Sequence, residues 1–258
     1  DNLTCDGVTD NVIAVKAVNN APSSRWYSGS GIYRDVTLTV TNPVHVDYQG
    51  TYVTTPDIST GKGTVQVETD VVNDGDSSVE VTVTNTVVET GDQASTTVIV
   101  PADQTVTATA RPVVSSPKLW SVENPKLYTV RTDLSVNGQV VDTVETTFGF
   151  RYFSFGTSGF HLNGKNVKLN GVCLHHDQGA LGSAAYYDAM YRQLSIMKDM
   201  GVNAIRTSHN PADEDFIDIC NELGLLVIEE LFDGWVDPKN GNSNDFSRYF
   251  DTNAANGP

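Results

Sequence analysis

Through the first two thirds of the chain, apolar and polar residues alternate one by one in short runs. Val36-Thr37-Leu38-Thr39-Val40, Val65-Gln66-Val67-Glu68 and Val79-Glu80-Val81-Thr82-Val83-Thr84 show it most clearly, and Val106-Thr107-Ala108-Thr109 and Tyr128-Thr129-Val130-Arg131 continue it. A period of two sets one face of a strand on a core and the other in water, and β-branched side chains suit that pleated surface. Residues 12–18, Val-Ile-Ala-Val-Lys-Ala-Val, form a further short apolar run. Asn73-Asp74-Gly75-Asp76 and Asn137-Gly138 punctuate the pattern. Asn, Asp and Gly tolerate positive φ, so both stretches predict hairpin-type turns. Short strands at this spacing predict a β-sandwich, placed at residues 43–151.

After Phe150 the period changes. Val167-Lys168-Leu169-Asn170-Gly171-Val172 is strand-like, whereas Tyr187, Met190, Leu194, Met197 and Met200 recur every three or four residues, as on one face of a helix. Val202-Asn203-Ala204-Ile205 predicts a short strand. In the next helix Asn210 is the expected cap, Pro211 the first residue, and Asp213, Glu214 and Asp215 meet the positive end. Phe216, Ile217, Cys220 and Leu223 form its apolar stripe and Gly224 its terminator. Leu225-Leu226-Val227-Ile228 reads as a strand of a buried parallel sheet. This alternation predicts parallel βαβ units, and in a β/α barrel the site gathers where strands give way to loops.

Each predicted strand releases ionisable residues at that same end. They are Leu174-His175-His176-Asp177, Arg206-Thr207-Ser208-His209-Asn210-Pro211 and Glu229-Glu230-Leu231-Phe232-Asp233-Gly234-Trp235. The candidates for contact with a ligand are His175, Arg206, His209, Asp233 and Trp235. Each also has a structural reading: a hydrogen-bonded histidine, an Arg206 paired with Glu229 or Glu230, a core tryptophan. A metal site built from His175, His176, His209 and the carboxylates competes, but no helical pair of histidines four apart supports it.

Charge narrows the function. With a net charge of −16 the chain is a poor partner for nucleic acid or anionic membranes, while a neutral sugar is indifferent to it. The three cysteines, Cys5, Cys173 and Cys220, fit no zinc spacing and read as small buried apolar residues. No apolar run approaches the ~18 residues of a membrane span, and no signal peptide opens the chain. Low lysine with abundant Thr, Asp and Val leans toward a secreted or cell-surface bacterial protein, with the cytoplasm still open.

Four stretches carry a resemblance to glycoside hydrolase family 2. Arg25-Trp26-Tyr27-Ser28-Gly29-Ser30-Gly31-Ile32-Tyr33-Arg34-Asp35-Val36 resembles the end of that family's N-terminal jelly-roll domain. Leu119-Trp120-Ser121-Val122-Glu123-Asn124-Pro125-Lys126-Leu127-Tyr128 resembles its immunoglobulin-like domain, and Phe148-Gly149-Phe150-Arg151 the exit from it. Asn203-Ala204-Ile205-Arg206-Thr207-Ser208-His209-Asn210-Pro211, running on to Glu229-Glu230, resembles the first motif of its barrel. Gly171-Val172-Cys173-Leu174-His175-His176-Asp177 with Gly179-Ala180-Leu181-Gly182 is similar to the bacterial β-galactosidase branch.

The resemblance implies a multidomain β plus α/β chain. It comprises the tail of a jelly-roll (1–42), an immunoglobulin-like sandwich (43–151) and the start of a truncated TIM barrel (152–258). It implies a retaining glycosidase with two glutamates about 5–5.5 Å apart, one a nucleophile and the other an acid/base. By the family's pattern both fall beyond Pro258, so the chain alone is expected to be inactive. Asn221-Glu222 imitates the acid/base motif but lies inside the second predicted helix. Arg206 matches a position that keeps the nucleophile ionised, and His175 and His209 match positions that bond the sugar. Asp233 would accept from sugar hydroxyls and Trp235 would face a pyranose ring; Arg25 and Trp26 would reach the same pocket. No cofactor is called for. The partner is a β-galactoside, together with the remainder of the polypeptide, and self-association stays open. Alternatives are a β-glucuronidase or β-mannosidase fragment, or a non-catalytic carbohydrate-binding or structural module.

Overall fold

The computed structural model describes residues 4, 6–18, 31–59 and 61–231. Two antiparallel sheets face each other. The first contains β1 (Val44–Ser59), β2 (Lys62–Asn73), β5 (Gln104–Ala110) and β6 (Val113–Ser115), with β2 at its centre. The second runs β4-β3-β7-β8 from β3 (Val79–Val87), β4 (Gln93–Val100), β7 (Tyr128–Val136) and β8 (Gln139–Phe148). The alternation read from the sequence is what packs them: Val65, Val67 and Val71 of β2 and Val81, Val83 and Val87 of β3 are fully buried. At one end Phe150 meets Tyr128 and Phe148 edge-on, with ring centroids 5.1 and 5.2 Å apart.

The turns divide. Asn137 and Gly138 both take positive φ and join β7 to β8 as a hairpin. Asn73 instead carries the chain from one sheet to the other, because β2 and β3 do not pair. Its buried side-chain amide donates to the carbonyls of Ser77, Val100 and Pro101, and its Oδ1 accepts from Gly75 N. The runs at 12–18 and 36–40 form no strand. Val36, Leu38 and Val40 are 75–85% exposed, with no ladder partner among the described residues, and alternation without a neighbour to take its hydrogen bonds does not make a sheet.

A small antiparallel unit, β9 (Phe153–Gly156), β10 (Gly159–Leu162) and β11 (Lys165–Asn166), leads into the α/β part. There β12 (Gly171–Leu174), β13 (Ala204–Thr207) and β14 (Leu226–Ile228) are parallel neighbours, linked by α1 (Tyr187–Asp199) and α2 (Glu214–Leu223). Met190, Leu194, Ile205, Phe216, Ile219, Cys220 and Leu225 form its core, with Val172, Leu174 and Val227 packed against it. The opposite sheet face is open among the described residues: Cys173 is exposed and Ile228 is 52% exposed. Two boundaries shift from those expected. Residues 167–170 are not strand, because their polar groups bond the Asn203 side chain, which donates to Lys168 O and accepts from Asn170 N. Asp213, not Asn210, caps α2 by accepting from Asp215 N, since Asn210 is engaged by His176 and the Pro211 and Ala212 carbonyls by Arg34.

The sandwich and the α/β part are fastened by the 119–124 stretch. Trp120 is 4% exposed, and its indole N–H donates to Asn221 O at 2.8 Å. Lys198 Nζ donates to Val122 O (2.8 Å) and Gly224 O (3.0 Å), and burial lowers its pKa. Gly224 takes φ +71, and a Cβ there would stand 2.5 Å from Val122 O. Glycine is therefore required twice, by conformation and by the approach of a second backbone. Gly138 has φ +78 but open space. We expect Gly138→Ala to cost about 1 kcal/mol from the left-handed conformation alone. Gly224→Ala should cost about 2 kcal/mol or more in urea unfolding, because the clash adds to the strain. Equal losses at the two sites would mean that the 119–124 stretch does not press on α2.

Candidate active site at the strand ends

Parallel pairing aligns Cys173 with Arg206 and Arg206 with Ile228, so all three strands run out at one edge. Arg206 faces away from the helices, beside Cys173, while Ile205 on its inner side is buried. Glu230 is the second residue after β14. Its backbone N–H donates to Thr207 Oγ1 at 2.9 Å, which ties the end of β14 to the end of β13.

Glu230 then joins two of the predicted site residues. Arg206 Nε and Nη2 both donate to Glu230 Oε1, at 2.8 and 2.7 Å. His209 Nδ1 lies 2.7 Å from Glu230 Oε2. Burial by itself would raise the Glu230 carboxyl, but the bonds from Arg206 and His209 outweigh it and hold the group below its ordinary value. The same bond to Glu230, with a second to Cys173, raises Arg206. The His175 and His209 rings meet edge to face with centroids 5.5 Å apart. The structure thus brings His175, Arg206 and His209 into one contiguous cluster. Asp233, Trp235, Arg25 and Trp26 lie outside the described residues, as does Cys5.

A second layer braces the loop after β13. His176 Nδ1 is 2.9 Å from Asn210 Oδ1, and Glu229 Oε1 accepts from Ala212 N at 2.7 Å. Arg34 Nη2 donates to the carbonyls of Pro211 and Ala212 at 2.8 and 2.9 Å, and Arg34 Nε pairs with Asp213 at 3.5 Å. A cavity on the helix side of this loop is lined by Tyr33, His175, His176, Ser208, Asn210 and Phe216, among others. His175 therefore borders both the cavity and the cluster, whereas Arg206 and His209 do not line the cavity. Strand alternation separates them, because Thr207 points toward the helices and Arg206 away.

Glu230, Asn210 and Arg34 belong to this network although none is among the expected ligand contacts, and the pairing of Arg206 with Glu230 is the structural reading expected of that arginine. The signal for Glu230 was present: consecutive carboxylates at a strand end must face opposite ways, so one of them must meet the neighbouring strand's arginine. The reading of the cysteines needs correction. Cys220 is buried, and its thiol is pushed up to about 12 by burial, but Cys173 is exposed and accepts from Arg206 Nη1 at 3.5 Å. β12 buries only Val172 and Leu174 against the helices, so its odd positions face out. Among the described residues, no group of three or more His, Cys, Asp and Glu side chains is placed to hold a metal ion. Glu222 is exposed near the C-terminal end of α2, at the opposite end of the sheet from Glu230.

Sequence families meet this geometry at two places. The description "Glycosyl hydrolases family 2" matches residues 44–151, and "Glycosyl hydrolases family 2, TIM barrel domain" matches residues 155–248. The chain belongs to glycoside hydrolase family 2. Within this family it is 41% identical over 251 residues to the beta-galactosidase BoGH2A of Bacteroides ovatus, covering 93% of this chain and 29% of that protein. It is 40% identical over 234 residues to a putative beta-glucuronidase of Formosa agariphila, covering 88% of this chain and 22% of that protein. A solved family 2 member from Bacteroides cellulosilyticus superposes with a TM-score of 0.79 at 37% identity, over 87% of this chain and 32% of that one. The chain spans less than a third of the length of these relatives. The family 2 chain is thus an immunoglobulin-like sandwich joined to the start of a TIM barrel, and its strand-end cluster lies on the barrel side.

The lowered Glu230 carboxyl gives a pH dependence of known sign. Its bonds contribute fully above the ordinary value of 4.5 and are lost as pH falls through the lower folded value. In urea melts between roughly pH 3 and pH 7, wild type should exceed Glu230→Gln in stability near neutrality, and the gap should close below about pH 4.5. A gap of constant size across that range would show that Glu230 is not held ionised by its partners.

Proposed function

We propose that this chain is the sandwich and first barrel segment of a retaining glycoside hydrolase that removes terminal β-galactosides. The observation that carries the reading is the gathering of His175, Arg206 and His209 at the shared end of adjacent parallel strands. That is the end at which β/α barrels place their chemistry. The two catalytic carboxylates are supplied, in this reading, by sequence outside these 258 residues.

The roles follow from the chemistry. Retaining hydrolysis needs one carboxylate ionised for attack on the anomeric carbon and a second that first gives and then takes a proton. Arg206, which cannot lose its charge, favours the ionised nucleophile. Because Glu230 already balances much of that charge, Arg206 acts more through an oriented N–H than as a bare cation. His175 and His209 bond sugar hydroxyls, and such bonds accelerate the reaction to the extent that they tighten as the ring approaches the oxocarbenium ion. Asp233 as a hydroxyl acceptor and Trp235 as an aromatic platform belong to the same reading, and both lie outside the described residues. Among the described residues, the arginines at the site, Arg34 and Arg206, are both engaged by protein acceptors, which supports a neutral galactoside over a glucuronide whose carboxylate would need a cation. The sandwich holds the barrel segment in place and binds no glycan by itself.

The test is turnover of 4-nitrophenyl β-galactoside and β-glucuronide by the full-length protein. Galactoside should be preferred, and Arg206→Ala should lower kcat/KM by about 100-fold or more, in the range of a lost transition-state donor. Glu222→Gln should leave activity intact, and the 258-residue chain alone should match the blank. Preference for the glucuronide would transfer the assignment to that branch. Activity abolished by Glu222→Gln would overturn the placement of the carboxylates.

A further inference from the structure

We infer that Glu230 is a positioning residue: its carboxylate fixes Arg206 and holds His209 in the tautomer that carries its proton on Nδ1. The inference rests on the strand-end cluster being the sugar site proposed above, although the tautomer itself is decided by geometry.

An ionised carboxylate has no proton to give. At 2.7 Å from Glu230 Oε2, His209 Nδ1 must be the donor. Arg206 Nη2 is 3.4 Å from the same nitrogen. Since a guanidinium cannot accept and a protonated Nδ1 cannot either, that longer contact is mere proximity. In the neutral ring Nε2 is then the lone-pair nitrogen. A lone pair at Nε2 accepts from a hydroxyl and repels an ionised carboxylate. The holder is itself held: Glu230 N–H donates to Thr207 Oγ1, and Thr207 is only 6% exposed. Next to it Glu229 takes Ala212 N and steadies the loop that carries His209. Of the two adjacent carboxylates, one thus fixes backbone and the other fixes two side chains.

Replacement of Glu230 by glutamine sharpens the claim. Two charged N–H groups of Arg206 converge on Oε1, so the amide must place its oxygen there. Its NH2 group then faces His209 Nδ1 and donates to it, which drives the ring proton to Nε2. Glu230→Gln should therefore invert the tautomer with almost no change of shape.

The experiment is nitrogen NMR of the imidazoles in the 258-residue chain with 15N-labelled histidine, at a pH where the rings are neutral. Five histidines give five ring pairs, and His209→Ala assigns the one of interest. Wild type should show a protonated Nδ1 and an unprotonated Nε2 at His209, and Glu230→Gln should show the reverse. An Nε2–H tautomer in wild type overturns the proposal whatever the variant does, so the test survives a variant that fails to fold. An unchanged pattern in a folded Glu230→Gln overturns it too. In the full-length enzyme Glu230→Gln should lower kcat/KM by about 10-fold or more, as a wrong tautomer does elsewhere. Inversion without loss of turnover would reduce Glu230 to a structural bond and overturn its role in the reaction. If wild-type full-length protein turns over no glycoside, the sugar-site reading fails while the NMR result still decides the tautomer.

Discussion

Parallel pairing of β12, β13 and β14 is the constraint from which the site follows. The ladder aligns Cys173 with Arg206 and Arg206 with Ile228, and it fixes which residues emerge together. A slip of one residue in β13 would turn Arg206 toward the helices and Ile205 toward the open face. The burial of Ile205 and Leu225 against Met190, Leu194 and Phe216 resists that slip. Hydrophobic packing on one side of the sheet thereby sets the chemistry on the other.

The sandwich contributes rigidity at a distance. Trp120 is wedged against Gly149 and reaches Asn221 in α2, and Lys198 ties Val122 to Gly224. These contacts hold the helix that follows the His209 loop at its far end, while Arg34 and Glu229 hold the loop itself. The candidate site is thus restrained from three separate stretches of sequence. Side chains that bond backbone carbonyls and amides do this work, consistent with groups that must be oriented before a ligand arrives.

The electrostatics differ from a simple picture of a cationic arginine waiting for an anion. Arg206 is already paired, and the pair is shared with His209 through one carboxylate. The cluster is therefore a set of directed hydrogen bonds with little net charge. In a chain of net charge −16 it also leaves Glu230 compensated rather than adding an unpaired acid at the strand ends.

Local sequence determined much of this protein. Period-two runs such as Val79–Thr84 became strands because each had a neighbour for its hydrogen bonds and a core for its valines. The helical spacing from Tyr187, the Gly224 terminator and the Asn137-Gly138 hairpin are also local properties, decided by φ and by side-chain direction. The ionisable strand ends could be read because parallel βαβ units bring successive strand ends to one edge. What the sequence could not decide was pairing at long range. Val36–Val40 alternates as well as any strand, yet it finds no partner among the described residues. Asn210 looks like a cap, but its amide is taken by His176, and Asp213 caps in its place. Of the twin glutamates, only the fold could say that Glu230 would meet Arg206 and Glu229 the loop backbone. Propensity and period act within a few residues, whereas these choices depend on groups that only tertiary packing brings within hydrogen-bond distance.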